Sequence, residues 1–131
     1  MSRKVIAIDF DGTLTHLQDN YHNMEIHELR PNETIINYVR ALHSEYHFIV
    51  IFTARLSHYR EEIAAYLNFH KIPFDLIHTE KLRFDVLIDD RTLHPSLIEA
   101  FANDTHHQLV DKIRLETLSL NLNLSDVNKN E

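Results

Sequence analysis

The sequence predicts an α/β protein: a single-domain, three-layer sandwich with a mainly parallel sheet. Three observations lead there. Short apolar runs alternate with segments of helical periodicity along the first hundred residues. Strands separated by helices need crossover connections, which make neighbouring strands parallel and cover the sheet on both faces. The apolar runs at 5–8, 48–52 and 84–88 each end in polar or charged residues, namely Asp9, Thr53 and Asp89. In open α/β sheets, ligands bind beyond the carboxyl ends of the strands. Finally, no linker, internal repeat or shift in composition divides the chain, and 131 residues suit one domain.

The elements follow in order. Val5, Ile6, Ala7 and Ile8 read as a buried strand, being short and partly β-branched. A polar, histidine-rich loop spans 14–30. Residues 31–46 read as a helix, with Pro31 and Asn32 at its start and Ile35, Ile36, Val39 and Leu42 at helical spacing. Residues 48–52 are a second buried strand. Residues 57–69 form a second helix with Ile63, Tyr66 and Leu67 on one face, Ser57 as N-cap, and Glu61 and Glu62 near the positive dipole end. Pro73 breaks this pattern, and 74–77 read as a short strand. Residues 84–88 form another strand and 95–102 a short helix. The end of the chain fits two patterns. Val110, Ile113, Thr117, Leu120 and Leu124 make a helical stripe, while Leu118, Leu120, Leu122 and Leu124 alternate as in a strand. The reading adopted is a strand at 107–110, a helix over 111–120 and a flexible polar tail over 121–131.

Composition excludes several functions. The chain holds one glycine, Gly12, where roughly nine are expected at an average usage of about 7%. A dinucleotide fingerprint needs three glycines and a P-loop two. Absence of cysteine excludes a thiol nucleophile, disulfides, iron–sulfur clusters and cysteine-ligated zinc. No apolar run exceeds five residues, too short for a membrane span, and the N-terminal run is too short for a signal peptide. The expected location is cytoplasmic, with no membrane partner. A formal charge of -7 repels nucleic acid at long range. His16, His22 and His27 stand six and five residues apart, which does not match a compact helical metal pair, although His16 and His22 follow close enough on Asp11 to reach a substrate.

The strand ends carry the chemistry. Asp9 and Asp11 stand two residues apart, just before Gly12 and Thr13. One carboxylate can attack phosphorus and form an acyl-phosphate, and the other can shuttle a proton. Asp89 and Asp90 add further anionic oxygen. Four carboxylates at one edge call for a hard cation, and Mg²⁺ suits oxygen sites beside a phosphate. Thr53 offers a hydroxyl, Ala54 a main-chain amide that can face an anion, and Lys81 a point charge for phosphate. Arg55 and Arg91 either touch substrate or pair with the acidic cluster.

These residues resemble the haloacid dehalogenase (HAD) superfamily of aspartyl-phosphate-forming phosphohydrolases. Its four motifs match, in order, Asp9-Phe10-Asp11-Gly12-Thr13, Thr53 within Ile51-Phe52-Thr53-Ala54-Arg55, Lys81, and Asp89-Asp90 within Leu87-Ile88-Asp89-Asp90-Arg91. The resemblance spans about residues 4–102 and implies a Rossmann-like hydrolase domain over 1–120. It implies that Asp9 is nucleophile and metal ligand, and that Asp11 is general acid/base and offers its carbonyl to the metal. Thr53 and Lys81 would hold phosphoryl oxygens, Asp89 would bind Mg²⁺, and Asp90 would act beside it. The intervals between motifs are filled by the elements above, so the resemblance is to a capless member with an open site, the 14–30 loop being the one candidate lid.

The expected function is therefore Mg²⁺-dependent hydrolysis of a phosphomonoester through an aspartyl-phosphate on Asp9. The partner is a phosphorylated substrate. Two other readings stay open. One is a polynucleotide 3′-phosphatase, for which Arg55, Arg60, Lys81, Arg83 and Arg91 speak and the net charge does not. The other is a non-catalytic module that binds a phospholigand. The tail leucines would either dock a second copy of the chain or pack at home.

Overall fold

The structure, a computed structural model, describes residues 3–100. The strand expected at 107–110, the helix at 111–120, the tail at 121–131 and the last two residues of the 95–102 helix lie outside the described residues.

Strands β1 (Val5–Asp9), β2 (Phe48–Phe52) and β3 (Leu76–His78) form one parallel sheet in the order β1-β2-β3. Helix α1 (Glu33–Ser44) connects the first pair and α2 (Arg60–Phe69) the second, and α3 (Pro95–Ala100) follows. This is the expected α/β, Rossmann-like arrangement in one small domain. Helix α1 starts at Asn32, whose Oδ1 accepts from the Ile35 N–H at 3.5 Å and whose Nδ2 donates to Glu99 of α3 at 3.3 Å. It buries Ile35, Ile36, Val39 and Leu42, the residues at helical spacing, together with Tyr38. Helix α2 buries Ile63, Tyr66 and Leu67. These side chains meet Ile49, Ile51 and Ile77 of the sheet in one core. Each such aliphatic side chain contributes roughly 1.5–3 kcal/mol by leaving water.

Four details depart from the sequence reading. Ser57 makes no capping hydrogen bond; Ser57–Tyr59 is instead a tight turn leading into α2. Strand β3 begins two residues later than expected, because the Asp75 carboxylate takes the Ile49 N–H at 2.8 Å and ends the ladder there. Among the described residues β1 pairs only with β2 and lies at the edge of the sheet; Val5 is 70% exposed, and Ile8 is the one buried residue of the strand. The run 84–88, expected as a strand, forms none and joins no sheet, and Ile88 is 94% exposed.

The loop 14–30 is polar in composition yet anchored in the core. Ile26 and Leu29 are buried, and the Leu29 carbonyl accepts a hydrogen bond from the Tyr66 hydroxyl at 2.8 Å. Thr15 bridges to Pro31. Parallel register sets Asp9 level with Phe52, and Phe52 level with His78. The chain leaves all three strands at one edge and delivers the residues after them there.

Candidate active site

Past Asp9 the chain makes a wide turn, closed by the Thr15 N–H on the Phe10 carbonyl at 3.2 Å. Gly12 lies in it at φ 78°, and Phe10 is fully buried, its ring edge-on to Tyr66 at 5.4 Å. The turn is thus held from below by one aromatic ring, and the carboxylates on either side of it, Asp9 and Asp11, both line an open pocket. Thr13 steadies Asp9, its hydroxyl donating to Oδ2 at 3.3 Å. The pocket has a volume of about 610 Å³.

The exits of β2 and β3 are tied together by main-chain bonds. The Lys81 N–H reaches the Thr53 carbonyl at 3.0 Å, and the Glu80 N–H reaches the Arg55 carbonyl at 2.9 Å. Glu80 sits at φ 63° to make this turn. A non-glycine residue in the left-handed region, next to a site residue, is a strained position that the surrounding bonds hold. The result places Lys81 Nζ 3.5 Å from Asp9 Oδ1, over the rings of Phe52 and Phe84. Burial pushes the Asp9 carboxyl above its usual range; Lys81 opposes that rise, Asp11 adds to it, and a hydrogen bond from the Phe10 main chain lowers it.

Arg55 forms a two-pronged pair with Asp11, Nε to Oδ2 at 2.9 Å and Nη2 to Oδ1 at 2.8 Å. This fork fixes the carboxylate plane in a way that a lysine does not. The Asp11 hydrogen bond raises the Arg55 pKa, burial opposes it, and the charges of Asp11, Tyr59 and Tyr21 add to the rise. Three cations, Arg55, Lys81 and Arg83, line the pocket beside the two aspartates. The local sign is therefore opposite to the net charge of -7 of the chain.

Asp9, Asp11, Ala54, Arg55 and Lys81 come together as expected neighbours. Other expected members do not join them. Thr53 is fully buried and does not line the pocket; its Oγ1 accepts from the Arg55 N–H at 3.1 Å, which shapes the loop under Arg55. His16, whose N–H donates to the Arg30 carbonyl at 2.8 Å, does not line the pocket, whereas His22 does. Asp89, Asp90 and Arg91 lie on an exposed turn in which Asp89 Oδ1 accepts from the Arg91 N–H at 2.9 Å. Without sheet pairing, the 84–88 run does not carry them to the strand edge. Among the described residues, no three acidic or histidine side chains converge on a cation position.

The pocket also has walls that the motifs did not mark: Tyr21, Leu56, Tyr59, Leu82 and Phe84. Tyr59 lies four residues after Arg55, and its ring is 5.7 Å from the guanidinium. Tyr21 comes from the loop. Their shared location is a tertiary fact with no spacing signature.

Residues 3–93 match the family described as the polynucleotide kinase PNKP phosphatase domain. Among solved structures, a structural-genomics target from Vibrio cholerae is similar at a TM-score of 0.62 and 26% identity, over 83% of this chain and 98% of that one. A chain of a Pnkp1/Rnl/Hen1 complex shares the fold at a TM-score of 0.52 and 21% identity, over 79% of this chain and 34% of that one. No curated protein matches the sequence. No helix among the described residues is long and apolar enough to cross a membrane. With its match covering both aspartates, Arg55, Lys81 and the parallel sheet that gathers them, the chain belongs to the PNKP phosphatase-domain family of the HAD superfamily.

Proposed function

We propose that the chain hydrolyses phosphomonoesters through an aspartyl-phosphate on Asp9. The observation that carries this is the pair of aspartates at the end of β1, each held by its own cation, Asp9 by Lys81 and Asp11 by Arg55. An Asp9 oxygen attacks phosphorus, the bond to the leaving alkoxide breaks, and Asp11 gives that oxygen a proton. Asp11 then takes a proton from water, which opens the acyl-phosphate and frees phosphate. Phosphoryl oxygens compete with Asp11 for the Arg55 fork, so substrate binding frees the Asp11 carboxylate to take up from solvent the proton that it then gives to the leaving oxygen. Lys81 and Arg83 offset the remaining charge.

Mg²⁺ dependence is part of the proposal. The donors of the described pocket are too few for an oxygen-rich cation site, so no step is routed through the metal. A cation would be held by Asp9 and the Asp11 carbonyl, and would need Asp89, with Asp90 beside it, to approach from the 84–91 segment. The test is phosphate release from a metabolite panel, with Mg²⁺ and with EDTA, for the native chain and Asp9→Asn. Release that depends on Mg²⁺ and vanishes in Asp9→Asn is expected. Equal release by Asp9→Asn removes the nucleophile, and equal release in EDTA removes the cation.

The family match favours a narrower second reading, a 3′-phosphatase acting on nucleic-acid ends. Turnover of a 3′-phosphorylated oligonucleotide at low salt supports it, and no turnover removes it.

A further inference from the structure

The two cations that face the aspartates are held in different ways. Arg55 grips Asp11 with two bonds, at 2.9 and 2.8 Å, and its planar fork fixes its own orientation. Lys81 meets Asp9 at 3.5 Å, with a point charge on a flexible carbon stem. One contact of that length does not fix such a stem against its rotamer freedom. Something besides Asp9 holds the ammonium in place.

Two rings face it. Parallel register sets Phe52 level with Asp9, and the Lys81 N–H on the Thr53 carbonyl at 3.0 Å brings the lysine beside that level. Nζ stands over the Phe52 ring, 5.1 Å from its centroid, and over the Phe84 ring, at 5.4 Å. Both lie within the reach of about 6 Å over which a ring face attracts a cation. The Lys81 side chain is only 17% exposed, so little water competes for the charge. Phe52 is backed in turn by the His78 ring at 5.1 Å. Phe84 has the opposite setting, on the pocket wall and 46% exposed. A phenylalanine so exposed adds little to the core, and its place over a shielded ammonium gives it another use.

We propose that Phe52 and Phe84 seat the Lys81 ammonium on their π-faces and hold it at Asp9, which makes Phe84 a positioning residue for the reaction in the pocket. The rings act through Lys81 and not on the reacting atoms. The kinetic consequence rests on the phosphatase reading of the same pocket; the seat itself does not. An aliphatic side chain of similar bulk covers a lysine stem as a phenyl ring does, but offers the ammonium no negative face. Seating and packing therefore separate by ring electronics rather than by size.

The test varies the ring at position 84 in the full chain, with phosphate release from p-nitrophenyl phosphate as the first readout. Phe84→Leu is expected to lower kcat/KM by about tenfold, the scale of a cation–π contact shielded from water. Phe84→Trp, which keeps an electron-rich face, is expected to stay within about threefold of the native chain. Phenylalanines bearing one, two and three fluorines at this position keep the shape and drain the face, so log kcat/KM is expected to fall with each fluorine. Placed in Lys81→Met, Phe84→Leu is expected to have no further effect. A flat fluorine series overturns the positioning role, and so does a Phe84→Leu loss that persists in Lys81→Met. Packing, or stacking of the substrate on Phe84, would give those results. The second readout, NMR of the resting chain, needs no turnover. Of the five lysines, Lys81, assigned through Lys81→Arg, is expected to show Hε protons upfield of the other four, and to lose that shift in part in Phe84→Leu. Unshifted protons in a native chain that turns over substrate remove the seat and leave the phosphatase reading standing. Shifted protons in a native chain that releases no phosphate from any ester remove the phosphatase reading and leave the seat.

Discussion

Gly12 carries a demand that the rest of the chain meets in other ways. Among the described residues, the non-glycine Tyr46, Lys71 and Glu80 also adopt positive φ, at 69°, 57° and 63°. Left-handed backbone is therefore tolerated here without glycine where a helix end or a main-chain bond enforces it. Gly12 differs in its setting, since its φ of 78° lies between Asp11 and Thr13, inside the turn that sets the aspartates. A Cβ at this position would meet only Leu17 Cδ1, at an ordinary 3.8 Å. Crowding is thus no obstacle, and the cost of a side chain is conformational, roughly 1–2 kcal/mol for the left-handed region and greatest for a β-branched residue. Gly12→Val relieves its strain by rotating the turn, which moves Asp11 off the Arg55 fork. We expect kcat/KM to fall by about a hundredfold, the scale of a misplacement of roughly 1 Å. The melting temperature should fall by several degrees, the scale of roughly 1–2 kcal/mol, with the fold retained, since the turn itself is anchored by Phe10 and Thr15. Measured together, full activity in Gly12→Val would show that the turn tolerates a side chain. A collapse of stability would show that Gly12 serves the fold first.

Elements become legible in the sequence when one face is buried along a regular period. Helices α1 and α2 satisfy this, and Ile35, Ile36, Val39, Leu42, Ile63, Tyr66 and Leu67 are buried as their spacing indicated. The run 84–88 shows the limit of that rule. Its apolar residues fit a strand, but periodicity reports hydrophobicity and says nothing of a pairing partner. The 14–30 loop shows the opposite error, for its polar composition hides two buried anchors, Ile26 and Leu29. Tyr66 is the residue that joins this loop to α2. Its hydroxyl donates to the Leu29 carbonyl at 2.8 Å, and burial pushes its pKa up to about 12. Tyr66→Phe keeps the ring contact with Phe10 and leaves that buried carbonyl unpaired. The expected loss is about 1–3 kcal/mol in urea denaturation. Because Tyr21 and His22 of the pocket wall ride on the same loop, phosphatase activity should fall alongside stability. An unchanged unfolding midpoint would mean that the loop finds its anchor elsewhere.

The whole molecule combines an acidic chain with a pocket of the opposite sign, and only the first half of that statement is visible in composition. Asp9, Asp11, Arg55 and Lys81 were legible because strands end where parallel register must gather them. Tyr21 and Tyr59 were not, because two loops meet in space without any sequence period. Histidine content is a property of the same scale. Eleven histidines suggest a chain whose stability responds to pH near neutrality, yet most of those in the described residues are exposed. Among the described histidines His47 is the fully buried one, with its Nδ1 accepting from the Lys4 N–H at 3.2 Å. Burial first, and the Lys4 charge second, lower its pKa below the ordinary 6.5. Because Nδ1 accepts from Lys4, the neutral ring carries its proton on Nε2, 3.8 Å from Glu45, and a second proton must go onto Nδ1 and break the Lys4 hydrogen bond. A lowered histidine pKa means that the unfolded chain binds the proton more readily than the folded one. The His47 contribution is then complete above about 6.5 and is lost as pH falls through 6.5 toward the depressed folded value. The sheet depends on it at one point, because the next main-chain bond, the Phe48 N–H on the Lys4 carbonyl at 2.8 Å, opens the β1–β2 pairing. Urea midpoints measured from pH 7.5 to 5 should therefore decline in the native chain. The decline should be shallower in His47→Gln, which removes this titrating ring at some loss of stability at pH 7.5. Parallel pH profiles for the two chains would place the acid sensitivity at another group.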